Sequence, residues 1–317
     1  MNGLLGLIQN ENMKIYRRPR TWIFAGILLL LIVGGAILGM KFDPEYSGSE
    51  WRGQVQQNID EAKKEMKGDD TPEDFKNMMK QDIAQNQYYL ENDINPYEKN
   101  AWTFINENLL LTTIVSLFVV VVASDIVASE FTWGTIKMLM VRPFSRGQIL
   151  FSKFVSVLIF QLVLYIELFV ASWLVGGLLF GFGGFNFVDH TFGLEGGLTE
   201  TAVGETVLKT LGLGFVSLIV IVAISFMIST VLRSSSLAIG IGIATLFAGN
   251  AINLLLAKYD WGKFVLFPNL ELTTYIGGGS PPFEGMSLPF SLTVDAIYFV
   301  VIVVLTWYIF KKRDIAA

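Results

Sequence analysis

Ser129-Glu130-Phe131-Thr132-Trp133-Gly134-Thr135-Ile136-Lys137, continuing to Arg142-Pro143-Phe144-Ser145-Arg146, is a polar bridge between two long apolar runs, Leu109 to Val127 and Ile149 to Phe180. Runs of this kind approach the ~20 residues that a helix needs to cross a bilayer, so the bridge reads as a connection between two spans. Four further runs share the character: Trp22 to Met40, Val207 to Val231, Leu237 to Leu256 and Val294 to Phe310. Composition agrees, with 52% hydrophobic and only 16% charged residues. The expected fold is an all-α polytopic membrane protein of six transmembrane helices. The third run is too long for one perpendicular crossing, so it tilts, breaks, or begins in the cytoplasm.

Basic residues near span ends set orientation, because Lys and Arg stay on the cytoplasmic side. Lys14, Arg17, Arg18 and Arg20 precede the first span, and Lys137, Arg142, Arg146 and Lys153 surround the bridge. Arg233 sits between the fourth and fifth spans, and Lys311, Lys312 and Arg313 follow the last. All fall inside if both termini are cytoplasmic. The formal net charge of −5 is then a sum of opposites, a basic inside and an acidic outside. The first run lacks a following small-residue cleavage site and is long enough to span, so an uncleaved helix is expected. With no cysteine in the chain, the external segments hold no disulfide.

This topology divides the chain as follows. Residues 1–20 form a cytoplasmic amphipathic interface helix, in which Leu4, Leu5, Leu7, Ile8 and Ile15 alternate with polar residues ahead of a basic cluster. The first span is 21–41, followed by an external insert over 42–108. There Trp51, Val55, Ile59, Ala62 and Met66, then Phe75, Met79, Ile83 and Leu90, recur at helical spacing. Gly68 suits a helix end and Thr71-Pro72-Glu73-Asp74 a helix start, so the insert reads as a helical hairpin that must lean on the membrane domain or a second subunit. Residues 109–310 form a five-span membrane region with a cytoplasmic segment at 128–148 and external loops at 181–206 and 257–293. A basic cytoplasmic tail, 311–317, ends the chain.

Chemistry-bearing patterns are sparse. No G-x-x-x-x-G-K-[ST] phosphate cradle, H-E-x-x-H or G-x-S-x-G is present. His190, the single histidine, reads as an exposed imidazole on an external loop. Glu167 lies deep in the third span, where a charge costs roughly 2.5–3.5 kcal/mol, so it faces protein or a water-filled pathway. Gln161, Asn250 and Asn253 are candidates for the pathway or for hydrogen bonds between helices. Gly35 with Gly39, Gly177 with Gly181, and Ala244 with Ala248 permit close helix contact.

In the bridge itself, Gly134-Thr135-Ile136-Lys137 continues with helical character, Pro143 ends the run, and Ser145-Arg146-Gly147-Gln148 reads as a capping box opening the third span. A short helix across the membrane surface would act as a lever between two spans; an ordinary positively charged loop would satisfy the same pattern.

Glu130-x-x-x-Gly134-Thr135-Ile136-Lys137, then Arg142-Pro143-x-Ser145-Arg146 and Ile149-Leu150-x-Ser152-Lys153, resembles the segment after the second span in the ABC type 2 transporter permease family. Elsewhere the resemblance rests on layout. It implies a membrane permease subunit, usually of an exporter, that pairs with a second permease copy or a sister permease and binds a separate ATP-binding-cassette ATPase. Glu130, Gly134, Thr135, Lys137, Arg142, Pro143, Ser145 and Arg146 would then form the coupling interface. By the same resemblance the chain is no enzyme: ATP and Mg are expected on the partner, with no cofactor in this chain. The expected setting is the bilayer of a bacterial cell membrane, and no nucleic-acid partner is implied. The competing expectations are an ion-coupled secondary transporter using Glu167 and a non-transporting membrane sensor.

Overall fold

A computed structural model describes residues 3–42, 49–66, 73–136, 144–192, 198–256, 258–276 and 281–312. Helix α1 (Gly3–Tyr16) ends at the turn Arg17-Arg18, and α2 (Pro19–Phe42) starts with proline at its first position, where no N–H is required. The insert supplies α3 (Glu50–Glu65) and α4 (Glu73–Glu91), followed by α5 (Ala101–Asn108), a short 3-10 turn, and α6 (Thr112–Asp125). Next come α7 (Ala128–Thr132) and α8 (Arg146–Phe180). Strands β1 (Val188–Phe192) and β2 (Leu198–Ala202) precede α9 (Val203–Val231), α10 (Ser235–Leu256), the single turn α11 (Leu266–Asn269) and α12 (Leu288–Lys312).

The protein is predominantly helical. Among the described residues, five segments are long and apolar enough to cross a membrane: Pro19–Lys41, Ala101–Asp125, Arg146–Phe180, Val203–Val231 and Leu288–Lys312. A shorter apolar helix, Ser235–Gly249, falls within α10. The second segment starts eight residues before the apolar run expected at Leu109, because Asn100 caps α5. Its side-chain oxygen accepts from the N–H groups of Trp102 and Thr103, and Thr103 Oγ1 accepts from Asn100 N. The long third span is one continuous helix, opened by the expected capping box: Gln148 N donates to Ser145 Oγ at 3.2 Å, and Ser145 N to Gln148 Oε1 at 3.0 Å.

The main core gathers α2, α6, α8 and α9. Leu28, Ile32, Val115, Val119, Val157, Phe160, Leu164, Leu218 and Val222 are buried there, and Phe24 stacks on Phe118 at 4.3 Å. A second core belongs to the insert, where Trp51, Val55 and Ile59 of α3 meet Tyr89, Ile83 and Leu90 of α4 as their spacing requires. Phe75 departs from its expected place and is 49% exposed.

The fold is not wholly α. Within the loop expected at 181–206, β1 and β2 pair antiparallel, with His190 opposite Glu200. Backbone pairing is a connection that glycine and acidic content do not announce. His190 is a correction as well: only 6% exposed, it lies against Tyr88 and Tyr89 of α4, with ring centroids at 4.9 and 5.9 Å. Gln85 donates to the His190 carbonyl, so the insert leans on this hairpin. Of the small-residue pairs, Gly35 has no neighbour in reach of an added Cβ, and the space at Gly177 is taken by the Phe182 ring rather than a second helix. The turn residues Gly68, Thr71 and Pro72 lie outside the described residues.

Candidate functional site

The bridge after α6 is where separate parts of the chain converge on buried charge. Helix α6 stops at Asp125, and α7 starts at Ala128, after a break of two residues. Ser229 of α9 fills the break: its Oγ accepts from Val127 N at 3.1 Å and Ala128 N at 3.0 Å, two donors that the new helix end leaves without backbone partners. α7 ends at Thr132 with Trp133 as its cap, and Gly134 adopts φ +69°, the left-handed conformation that glycine favours after a helix. The expected helical continuation through Gly134 is thus corrected. Glycine turns the chain there.

Two carboxylates organise the surroundings. Asp125, 3% exposed, receives the guanidinium groups of Arg18 and Arg20 from the α1–α2 turn, and the Ser235 hydroxyl from the start of α10. Arg18 also reaches Ser129 Oγ at 3.3 Å and lies 4.6 Å from the Trp133 ring centroid. Thr132 donates to the Arg233 carbonyl at 3.3 Å and accepts from Ser235 N at 3.2 Å, which ties the α9–α10 turn to α7.

Glu130, 7% exposed, is the second centre. Lys14 of α1 approaches its Oε1 at 2.8 Å and Lys153 of α8 approaches the same oxygen at 3.0 Å, while Thr135 donates to Oε2. Glu11 of α1, 2% exposed, accepts from the same two lysines, at 2.8 Å from Lys14 and 2.6 Å from Lys153. The result is a closed quartet of two acids and two bases joining α1, α7 and α8. Burial pushes the Glu130 carboxyl upward, but the Lys153 charge and the bonds from Lys14 and Thr135 outweigh it and hold the group down at about 2. For Lys14, burial acts downward and is outweighed by Glu11 and Glu130, so its ammonium titrates above the ordinary 10.5.

Of the residues expected to form a docking interface, Glu130 and Thr135 face each other inside this quartet, and Gly134 turns the chain beside them. Ser145 and Arg146 stand at the mouth of α8, where Arg146 donates to the Lys311 carbonyl at 3.1 Å. Lys137, Arg142 and Pro143 lie outside the described residues. Sequence reading missed Glu11, Lys14, Lys153 and Ser229 as parts of one site. A signal for Glu11 was present: it shares the four-residue spacing of Leu7 and Ile15, so a charge occupies the apolar stripe of α1.

Among the intramembrane polar candidates, Gln161 Nε2 donates to the Phe215 carbonyl of α9 at 2.9 Å, a bond between helices. Asn253 donates to Glu271 at 2.7 Å. Glu167 is half-buried on α8. The Asn250 side chain lies outside the described residues. Asp295 on α12, which the sequence reading passed over, is 2% exposed, and neither carboxyl oxygen has a hydrogen-bond partner among the described residues.

Residues 75–316 match the sequence pattern of the family described as "Protein of unknown function (DUF2705)". A Bacillus subtilis (strain 168) protein named "Uncharacterized protein YhcI" is 40% identical over 317 residues, covering 99% of this chain and 100% of that protein. From the same organism, "Uncharacterized membrane protein YdbK" is 25% identical over 224 residues, 69% of this chain and 85% of that one. The family match takes in Asp125, Glu130 and Lys153 and begins beyond Glu11 and Lys14.

Proposed function

We propose that this chain, which belongs to the DUF2705 family, is the membrane permease subunit of an ATP-binding-cassette transporter in a bacterial cell membrane, working as an exporter beside a second permease copy or a sister permease. On this reading α10 is the sixth span, both termini are cytoplasmic, and an ATPase subunit docks on the 128–148 segment. One observation carries it: the bridge between α6 and α8 is tied by buried ion pairs and backbone caps to α1, to α8, to α9 and to the start of α10. An unsupported loop would yield under a push. A bridge wired to four elements moves them together, which is what coupling to an external motor requires. Glu130 then serves as an internal strut, and the contacts with the ATPase fall to exposed groups such as Trp133, which is 63% exposed, and to Lys137 and Arg142.

A second reading has one observation in its favour. A buried carboxyl at Asp295 with no hydrogen-bond partner among the described residues suits an ion-coupled transporter, in which it rather than the half-buried Glu167 would carry the proton or cation. The deciding experiment purifies the tagged chain from its native membranes, identifies its partners by mass spectrometry, and follows substrate flux in inverted vesicles. Co-purification of an ATP-binding-cassette ATPase with ATP-dependent flux supports the permease. Flux that needs an ion gradient and no partner replaces it with the second reading, and absence of flux under both conditions replaces it with a sensor.

A further inference from the structure

At the end of the molecule that holds the start of α8 and the finish of α12, two cavities adjoin. The outer one, about 660 Å³, is lined by Leu4 of α1, by the first turn of α8 including Arg146 and Gln148, and by Trp307 and Lys311 of α12. The inner one, about 90 Å³, runs between α8, α9 and α12, and its walls are apolar side chains such as Phe154, Phe226 and Val303. Gly147, Phe151 and Trp307 border both, so the two form one cleft with a polar mouth and an apolar floor. Thr306 adds no polarity to that floor, because its hydroxyl donates to the Ile302 carbonyl at 2.6 Å. Gly147 is required for the shape: a Cβ there would stand 2.7 Å from the Trp307 indole nitrogen.

Charge at the mouth has one sign. Among the described residues, Arg146 and Lys311 line it and no acidic side chain does, and Lys311 lies 4.7 Å from the Trp307 ring centroid. The floor opens sideways through side chains that face the bilayer, Phe151 at 52% and Trp307 at 45% exposed. A soluble anion has no use for such a floor, and a protein segment has no reason to find two cations directly over a lipid-facing slot. Basic pockets between transmembrane helices, flanked by an interfacial tryptophan, suit the phosphate of an anionic lipid.

We propose that this cleft is a binding site for an anionic phospholipid, with the phosphate at Arg146 and Lys311 and an acyl chain along Phe151 and Trp307. The site rests on the membrane-spanning reading of α8 and α12 and is independent of what drives the protein. It also gives α1 a reason to carry Leu4 to the same mouth: lipid occupancy would brace the helix that holds Glu11 and Lys14.

The test uses the full chain, delipidated in detergent, with phosphatidylglycerol, phosphatidylethanolamine and inorganic phosphate as probes, read by native mass spectrometry and by thermal unfolding. The expected result is a retained one-to-one phosphatidylglycerol adduct that raises Tm, little effect from the other two probes, and affinity lower by at least ~10-fold in the double variant Arg146→Gln, Lys311→Gln. Should that variant not fold, Val303→Trp blocks the floor without touching either cation and must weaken the same adduct. Equal protection by inorganic phosphate would mean a soluble-anion site, and equal retention of phosphatidylethanolamine would mean unselective annular lipid. Either result overturns the proposal, as does unchanged phosphatidylglycerol binding in a folded double variant or in Val303→Trp.

Discussion

Replacing Lys153 by methionine isolates what the buried quartet does. Lys153 is 1% exposed and spans two carboxylates, at 2.6 Å from Glu11 and 3.0 Å from Glu130. Methionine keeps most of its length and volume, so packing changes little while the quartet goes from neutral to one net negative charge. Removing one partner of a buried pair destabilises by about 3–5 kcal/mol, because the surviving charge stays buried. Here Lys14 still holds both acids, at 2.8 Å each, which places the loss toward about 3 kcal/mol. At about 2 °C for each kcal/mol in a chain of this size, Tm should fall by roughly 6 °C. The readout is intrinsic tryptophan fluorescence of the detergent-solubilised protein on heating. Adding Glu11→Gln to Lys153→Met restores neutrality and should recover at least half of the loss, a coupling that independent sites do not show. If Lys153→Met matches the wild type, or if Glu11→Gln lowers Tm further in that background, the quartet is not an electrostatic unit and the argument fails.

The quartet's contribution to stability should be flat between about pH 5 and 10. Glu130 titrates below its ordinary 4.5, so its contribution is complete above that value and drains away as pH falls toward about 2; Lys14, raised above 10.5, contributes fully below that value and is lost only as pH climbs past it. A transition in Tm near pH 6 or 7 that the double variant Glu11→Gln, Lys153→Met abolishes would contradict this assignment. Ser229→Ala should cost about 2–3 kcal/mol by leaving the buried Val127 and Ala128 N–H groups without an acceptor. Ser225→Ala is the matched control: its hydroxyl donates only to Ile221 of its own helix, and Tm should barely move. Gly184→Ala should lose about 1–3 kcal/mol from the backbone alone, since φ is +98°, and more because the new Cβ would meet Asn100, the cap of α5, at 2.2 Å. Circular dichroism melts of the purified variants check both sites.

The helices were legible because bilayer-length apolar runs and capping signals are local. Ser145 and Gln148 sit three apart, and the stripe of Trp51, Val55 and Ile59 needs no knowledge of the rest of the chain. The bridge was legible as a place in the chain, and the structure brings Glu130 and Thr135 of that stretch together. Its wiring was not, since Lys14 and Lys153 reach Glu130 across 116 and 23 residues and Lys153 reaches Glu11 across 142, and no periodicity encodes such pairings. The buried state of His190 was hidden for the same reason. A lone imidazole beside acidic residues reads as solvated until the tyrosines of a distant helix close over it.

What the quartet adds to stability does not explain its presence. Well-packed apolar side chains in its place would be neutral or stabilising, since each buried ion loses several kcal/mol of hydration before any pairing is made. Its design differs from a simple pair in one respect: each lysine contacts both carboxylates, so losing any single contact leaves every charge still paired. An apolar contact between α1, α7 and α8 would have to slide out of register or hold rigidly, because packed side chains interdigitate. Shared ion pairs can shorten on one side and lengthen on the other without exposing a bare charge. A joint that must stay buried while its three helices shift against one another is better made from such a quartet than from leucines. On the permease reading proposed above, that demand would arise where force enters the membrane domain, and a passive wall would not face it.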